Sequence, residues 1–242
     1  MVMKLIRLHF RYFLNRFNFI IISLIVTLVI FGFIISINPF ISRTYQALEQ
    51  VNFRELYFQN AFFIIKMALI LLASLLIGNS FMTKNDNYNV IYFSYRQNRI
   101  RYFISKLFSM HLSFIAIGII VYLFYLVIGY LLSPWFIWSL NENLVFLLII
   151  FISMIYGSMS VIIVLLVDSS FALILPFLMF IIIELINDFG TKELIIIFNL
   201  LFPVISFENN QIILLYGITH LGLVLILYSL LAQIIYLFKD FT

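Results

Sequence analysis

From Phe17 to Ser42 the chain carries no ionisable residue. A helix rises about 1.5 Å per residue, so about 20 apolar residues cross the roughly 30 Å of hydrocarbon in a bilayer. Six runs reach that order of length: 17–37, 61–81, 108–132, 144–167, 170–188 and 212–238. Lys66 alone interrupts the second, Ser133-Pro134-Trp135 closes the third, and the fifth follows the fourth directly after Asp168-Ser169. None alternates as the strands of a closed barrel would. Soluble domains are about half apolar and about one quarter charged, whereas this chain is 65% hydrophobic and 10% charged, with a mean hydropathy of +1.18. One aqueous core cannot hide that much apolar surface, so lipid is the expected solvent. The fold class is an all-α integral membrane protein forming a single transmembrane domain.

Two segments do not fit a span. Residues 1–16, MVMKLIRLHFRYFLNR, set Lys4, Arg7, Arg11 and Arg16 three to five residues apart with Leu and aromatic residues between them. That pattern predicts an amphipathic helix in the interface, its cations against anionic headgroups. Residues 189–210 contain a short apolar stretch broken by Pro203, which predicts an extracellular re-entrant hairpin. The first run is too long for a signal peptide and lacks a small-residue cleavage site, so the N-terminus is expected to be retained.

Orientation follows the cations of the short loops. With the N-terminus inside, Lys4, Arg7, Arg11, Arg16, Lys84, Arg96, Arg99, Arg101, Lys106 and Lys239 are cytoplasmic, against Arg43, Arg54, Lys66 and Lys192 outside. Ten against four places both termini in the cytoplasm and Trp135 and Trp138 in an outer aromatic belt. The basic residues lie beside apolar runs, so the net charge of +4 points to a membrane and not to nucleic acid. Without cysteine the chain has no disulfide and no thiolate chemistry.

The longest cytoplasmic loop, 82–106, passes from polar MTKNDNYN through VIYFSY to RQNRIRYFISK. One reading makes its cations a topology signal only. The other makes the loop a short helix along the membrane face, turning into the third span, through which a soluble partner could move the spans.

In that arrangement the chain resembles the permease subunit of a type-2 ATP-binding-cassette (ABC) exporter, small six-span bacterial form. The family has an interfacial N-terminal helix, six spans with both ends inside, a coupling helix between spans two and three, and an extracellular hairpin before the last span. Its coupling motif runs from an acid through Gly-Thr and an apolar stretch to a Pro-x-Ser-Arg turn and a Lys opening span three. Arg99 and Lys106 match the last two positions; Lys84, Tyr88-Asn89 and Gln97 stand where the acid, Gly-Thr and the proline are expected. The resemblance implies that Lys84, Tyr88, Asn89, Arg96, Arg99, Arg101 and Lys106 meet a separate ABC ATPase, which would bind ATP and Mg itself. It also implies a second permease chain, homodimer or heterodimer, and residence in a bacterial cell membrane. An amphipathic peptide (toxin, bacteriocin or immunity substrate) or a lipid-like molecule would be the cargo. Consistent with a non-enzymatic subunit, the chain has no phosphate-binding G-x-x-x-x-G-K-[ST] loop, no H-E-x-x-H, and no constellation for a catalytic or metal site.

Inside the runs, Lys66, Glu184 and His220 are ionisable, with His111 near the inner interface. Counting inward puts Lys66 and Glu184 within about two turns of the outer surface and His220 about 13 Å deep. They are candidates for a substrate path; equally, Lys66 could snorkel outward or pair with Glu184, and His220 could bond a nearby hydroxyl. Pro176 is expected to kink the fifth run or to serve packing. Two other functions fit the same sequence: an ion-coupled secondary transporter, which needs broken helices near the midplane, and a membrane immunity or sensor protein that moves nothing.

Overall fold

A computed structural model describes the backbone of residues 16–42, 50–82, 96–132, 140–190, 192–204, 206–208, 211–213 and 218–238. Seven helices carry the architecture: α1 (Arg16–Ser42), α2 (Gln50–Ser80), α3 (Arg96–Leu132), α4 (Leu140–Val167), α5 (Leu175–Phe189), α6 (Lys192–Leu201) and α7 (Ile218–Phe238). A 3-10 turn, Ser170–Leu173, precedes α5. A minimal antiparallel hairpin follows α6, pairing β1 (Ser206–Glu208) with β2 (Gln211–Ile213) through Ser206–Ile213, Phe207–Ile212 and Glu208–Gln211.

Among the described residues four helices are long and apolar enough to cross a membrane: Tyr57–Ser80 within α2, Arg99–Leu131 within α3, Glu142–Val167 within α4, and α7. Helix α1 is 27 residues long, and its side chains are described over Asn18–Gly32, all of it apolar helix. The fifth run is not one helix. Asp168 takes a left-handed conformation, φ 48°, where its amide donates to the Val164 carbonyl (2.8 Å) and ends α4. Ser169 then caps the 3-10 turn, its hydroxyl accepting from the Phe171 amide (3.3 Å). Only after Ile174 does α5 begin, and its 15 residues cover about 22 Å. Pro176 lies in the first turn of α5, where a missing N–H leaves no intrahelical bond broken. It starts a helix instead of kinking one. The sixth run is shortened in the same way, because residues 211–213 belong to β2 and α7 begins only at Ile218.

Of the expected coupling loop 82–106, residues 96–106 are the first three turns of α3, which runs unbroken for 37 residues. At about 55 Å it exceeds the hydrocarbon thickness by about 25 Å. The expected interfacial helix over 1–15 and the loop 83–95 lie outside the described residues.

Two clusters set the helix directions. At one end Tyr57 of α2, Tyr125 of α3 and Glu142 of α4 meet. At the other, Phe81 just beyond α2, Phe103 of α3 and Tyr236 of α7 stack in sequence, with centroids 5.3 and 5.0 Å apart. Helices α2, α4 and α7 therefore run parallel, and α3 runs against them. The chain leaves α4 beside Met82 and Leu173 and must return before α7. It does so through the 3-10 turn and α5: Leu173 lies level with Gly78, and Glu184 level with Lys66.

Helices α2 and α4 form the centre, and small residues let their backbones approach. A Cβ on Gly157 would stand 2.5 Å from Ile77 Cδ1 and 3.3 Å from the Ala73 carbonyl. Ser160 Oγ crosses the interface to donate to the Ser74 carbonyl (2.8 Å). Outward-facing Leu, Ile and Phe side chains on α1, α3 and α7 remain exposed, as expected where lipid replaces water.

Candidate functional site: a caged ion pair between α2 and α5

A charge in hydrocarbon is costly unless paired, so a lysine in a span needs a partner within reach. Lys66 of α2 finds one on α5: its Nζ lies 2.8 Å from Glu184 Oε1 and donates a hydrogen bond to it. The two side chains are 6% and 17% exposed. Lys66 therefore pairs inward and does not snorkel to the surface.

Both helices build the site with the same spacing. Phe62 precedes Lys66 by four residues, and Phe180 precedes Glu184 by four. One helical turn places each ring beside its own helix's charge. The Lys66 ammonium lies 5.2 Å from the Phe62 centroid and 5.8 Å from that of Phe180, within the range at which a ring face attracts a cation. Tyr156 of α4 closes the base, edge-on to Phe180 with centroids 5.4 Å apart. Its hydroxyl is fully buried and has no hydrogen-bond partner among the described residues. A buried unpartnered hydroxyl is rare in folded chains, and here it adjoins a charged pair.

Glu184 is the reachable member. On α5 it lies at the edge of the buried face, and Asp188, one turn farther on, is exposed. The α5–α6 unit is braced independently. Asn187 and Asn199 exchange amide hydrogen bonds of 2.9 and 3.4 Å, and the Tyr228 hydroxyl donates to the Leu201 carbonyl (3.2 Å), tying α6 to α7.

The other expected positions are dispersed. His220 is the third residue of α7, Ile218–Phe238. His111 is buried between α3 and α4, its Nε2 3.1 Å from Ser158 Oγ. The same hydroxyl lies 3.0 Å from the Met154 carbonyl, to which it donates, and the roles of ring and hydroxyl follow the imidazole tautomer.

In the basic island, Arg99 is half-buried and Arg101 exposed. Lys106 is 4% exposed, its ammonium 4.8 Å from the Phe81 centroid and 5.4 Å from that of Tyr102. It faces the bundle and ties α3 to the end of α2. For Arg96 the helical backbone is described but not the side chain. Lys84, Tyr88 and Asn89 lie outside the described residues. Among the described residues no group of His, Cys, Asp and Glu could hold a metal.

Sequence reasoning missed the far-end cluster. The Tyr125 hydroxyl donates to Glu142 Oε2 (3.0 Å), and the Tyr57 hydroxyl donates to the Tyr125 carbonyl (2.8 Å). Tyr57 and Tyr125 stack with centroids 5.0 Å apart and planes 5° from parallel. Glu142, which reads as a loop charge at a span boundary, is buried. The available signal was its place at the apolar run's edge opposite two tyrosines; nothing in one dimension pairs them.

No known family model matches the sequence, and no characterised protein matches it.

Proposed function

We propose that the chain is the permease subunit of an ATP-driven exporter, inserted in a bacterial cell membrane with both termini inside and working with a separate ABC ATPase and a second permease chain. In this reading α1 and the broken Ser170–Phe189 segment are counted as spans one and five, which brings the total to six. The cargo is a hydrophobic or amphipathic peptide or a lipid-like molecule, and the chain itself hydrolyses nothing.

The observation that carries the reading is the continuity of α3. In this reading the helix leaves the hydrocarbon with Arg99 and Arg101 on its first turns. At its base Lys106, Phe81, Phe103 and Tyr236 lock it to the ends of α2 and α7. A push on the projecting end reaches three helices without an intervening flexible joint. Such a lever is what a soluble motor requires, and Arg99 offers it a charge-assisted contact.

The test is purification of the tagged chain from its own cells. An ABC ATPase should copurify, and Arg99→Ala should reduce its amount while leaving the chain inserted; Asn98→Ala should do much less. Wild-type chain without an ATPase, with transport abolished by collapsing the ion gradient, would replace this reading by the ion-coupled transporter. The break at Asp168–Ile174 and the Lys66–Glu184 pair favour that second reading, since such transporters set charges beside interrupted helices.

A further inference from the structure

We propose that the cage formed by Phe62, Phe180 and Glu184 is a binding site for a primary ammonium group on an apolar body, and that Lys66 occupies it in the resting chain. The proposal deepens the export reading by naming the group its path recognises.

The chemistry of the cage is that of an ammonium receptor. One carboxylate oxygen accepts at 2.8 Å, and two aromatic rings lie within 6 Å of the nitrogen. Ring and carboxylate together are how proteins hold an alkylammonium. Every contact that serves the Lys66 ammonium would serve that of a ligand equally. Lys66 brings its group on a flexible four-carbon stem, so it can leave without moving α2.

A way in is also present. The carboxylate, not the ammonium, is the more exposed member, and it sits at the edge of the buried face of α5, on the side of exposed Asp188. An arriving cation meets Glu184 before it meets Lys66, while its apolar body lies along the lipid-facing surface of α5. The buried Tyr156 hydroxyl, without a partner beside Phe180, is a spare donor and acceptor at the base. Asp188, one turn beyond Glu184, extends the negative surface. That second carboxylate selects against a zwitterionic headgroup, whose phosphate would be set close to it. The favoured ligand is therefore a cationic amphiphile and not phosphatidylethanolamine.

The experiment uses the purified full chain in neutral detergent. Lys66→Ala vacates the cage and leaves Glu184 unpaired, so its thermal midpoint should fall below wild type. Millimolar n-butylammonium should raise that midpoint by several degrees, n-butanol should not, and the Lys66→Ala/Glu184→Gln double variant should respond to neither. Equal responses of single and double variants would overturn the proposal.

A second measurement needs no vacated cage. Native mass spectrometry counts dodecylammonium bound to wild type and to Glu184→Gln, with dioleoylphosphatidylethanolamine as the second probe. Loss of one charge-assisted hydrogen bond should weaken dodecylammonium by at least about tenfold. Unchanged dodecylammonium binding, or an equal loss for the phospholipid, would overturn the assignment. Neither measurement involves the ATPase. A copurifying ATPase with no ammonium response would sink this inference alone, and an ammonium response without an ATPase would sink only the export reading.

Discussion

Substituting Gly78 by alanine tests the central packing most directly. A Cβ there would overlap Ser160 Oγ outright and stand 2.8 Å from Leu173 Cδ2 and 3.0 Å from Ser160 Cβ. Ser160 cannot rotate away freely, because its hydroxyl donates to the Ser74 carbonyl (2.8 Å). Overpacking of this kind costs about 1–3 kcal/mol, and an interhelical hydrogen bond lost in a membrane costs about 0.6 kcal/mol. Alanine in place of glycine returns up to about 1 kcal/mol of helix propensity. The net expectation is a loss of about 1–3 kcal/mol. Gly222 supplies the internal control, since nothing lies within 4 Å of its added Cβ. There only the propensity gain applies, and Gly222→Ala should be neutral or stabilising by up to about 1 kcal/mol. The assay is reversible unfolding in mixed micelles, followed by circular dichroism across a double-mutant cycle with Ser160→Ala. Removing the Ser160 hydroxyl should relieve part of the Gly78→Ala cost, giving a coupling energy of about 1 kcal/mol. A Gly78→Ala protein as stable as wild type, or one equally destabilised in both backgrounds, would refute the close α2–α4 contact.

Exchanging the partners of the ion pair should be better tolerated than losing one. Lys66→Met and Glu184→Gln should each lower the unfolding midpoint, because the remaining charge stays buried without its partner, while Lys66→Glu/Glu184→Lys should recover part of the loss. At the opposite end Tyr125→Phe removes the hydrogen bond to Glu142 but keeps the stacked ring, so it should cost about 1–3 kcal/mol in the same unfolding assay; a neutral result would mean the carboxylate does not need that donor. The absence of native cysteine makes topology accessible to labelling: Ser139→Cys should react with an impermeant maleimide in intact cells, and Asn87→Cys only after permeabilisation. Reaction of Asn87→Cys in intact cells would reverse the assigned orientation.

What the residues alone determined was the solvent and the raw material of the helices. Runs such as 144–167 have no polar face to offer water, so their helicity and their lipid environment follow from composition and length. Lys66 and Glu184 were also conspicuous in sequence, because an ionisable residue in such a run has few ways to be satisfied. Their pairing depended on α5 returning beside α2, 118 residues away along the chain, and on a break at Asp168–Ile174 that sets its register. That break rests on a backbone conformation and two short hydrogen bonds, which hydropathy does not register. Likewise a basic stretch before an apolar run reads the same whether it forms its own helix or the first turns of the next one. In the structure residues 96–106 belong to α3, and the Lys106 ammonium, buried against Phe81 and Tyr102, holds those turns to the bundle. Glu142 illustrates the limit most sharply. Its hydroxyl partner approaches from a different helix, and only packing, which brings distant residues within 3 Å, distinguishes a buried carboxylate from a loop charge.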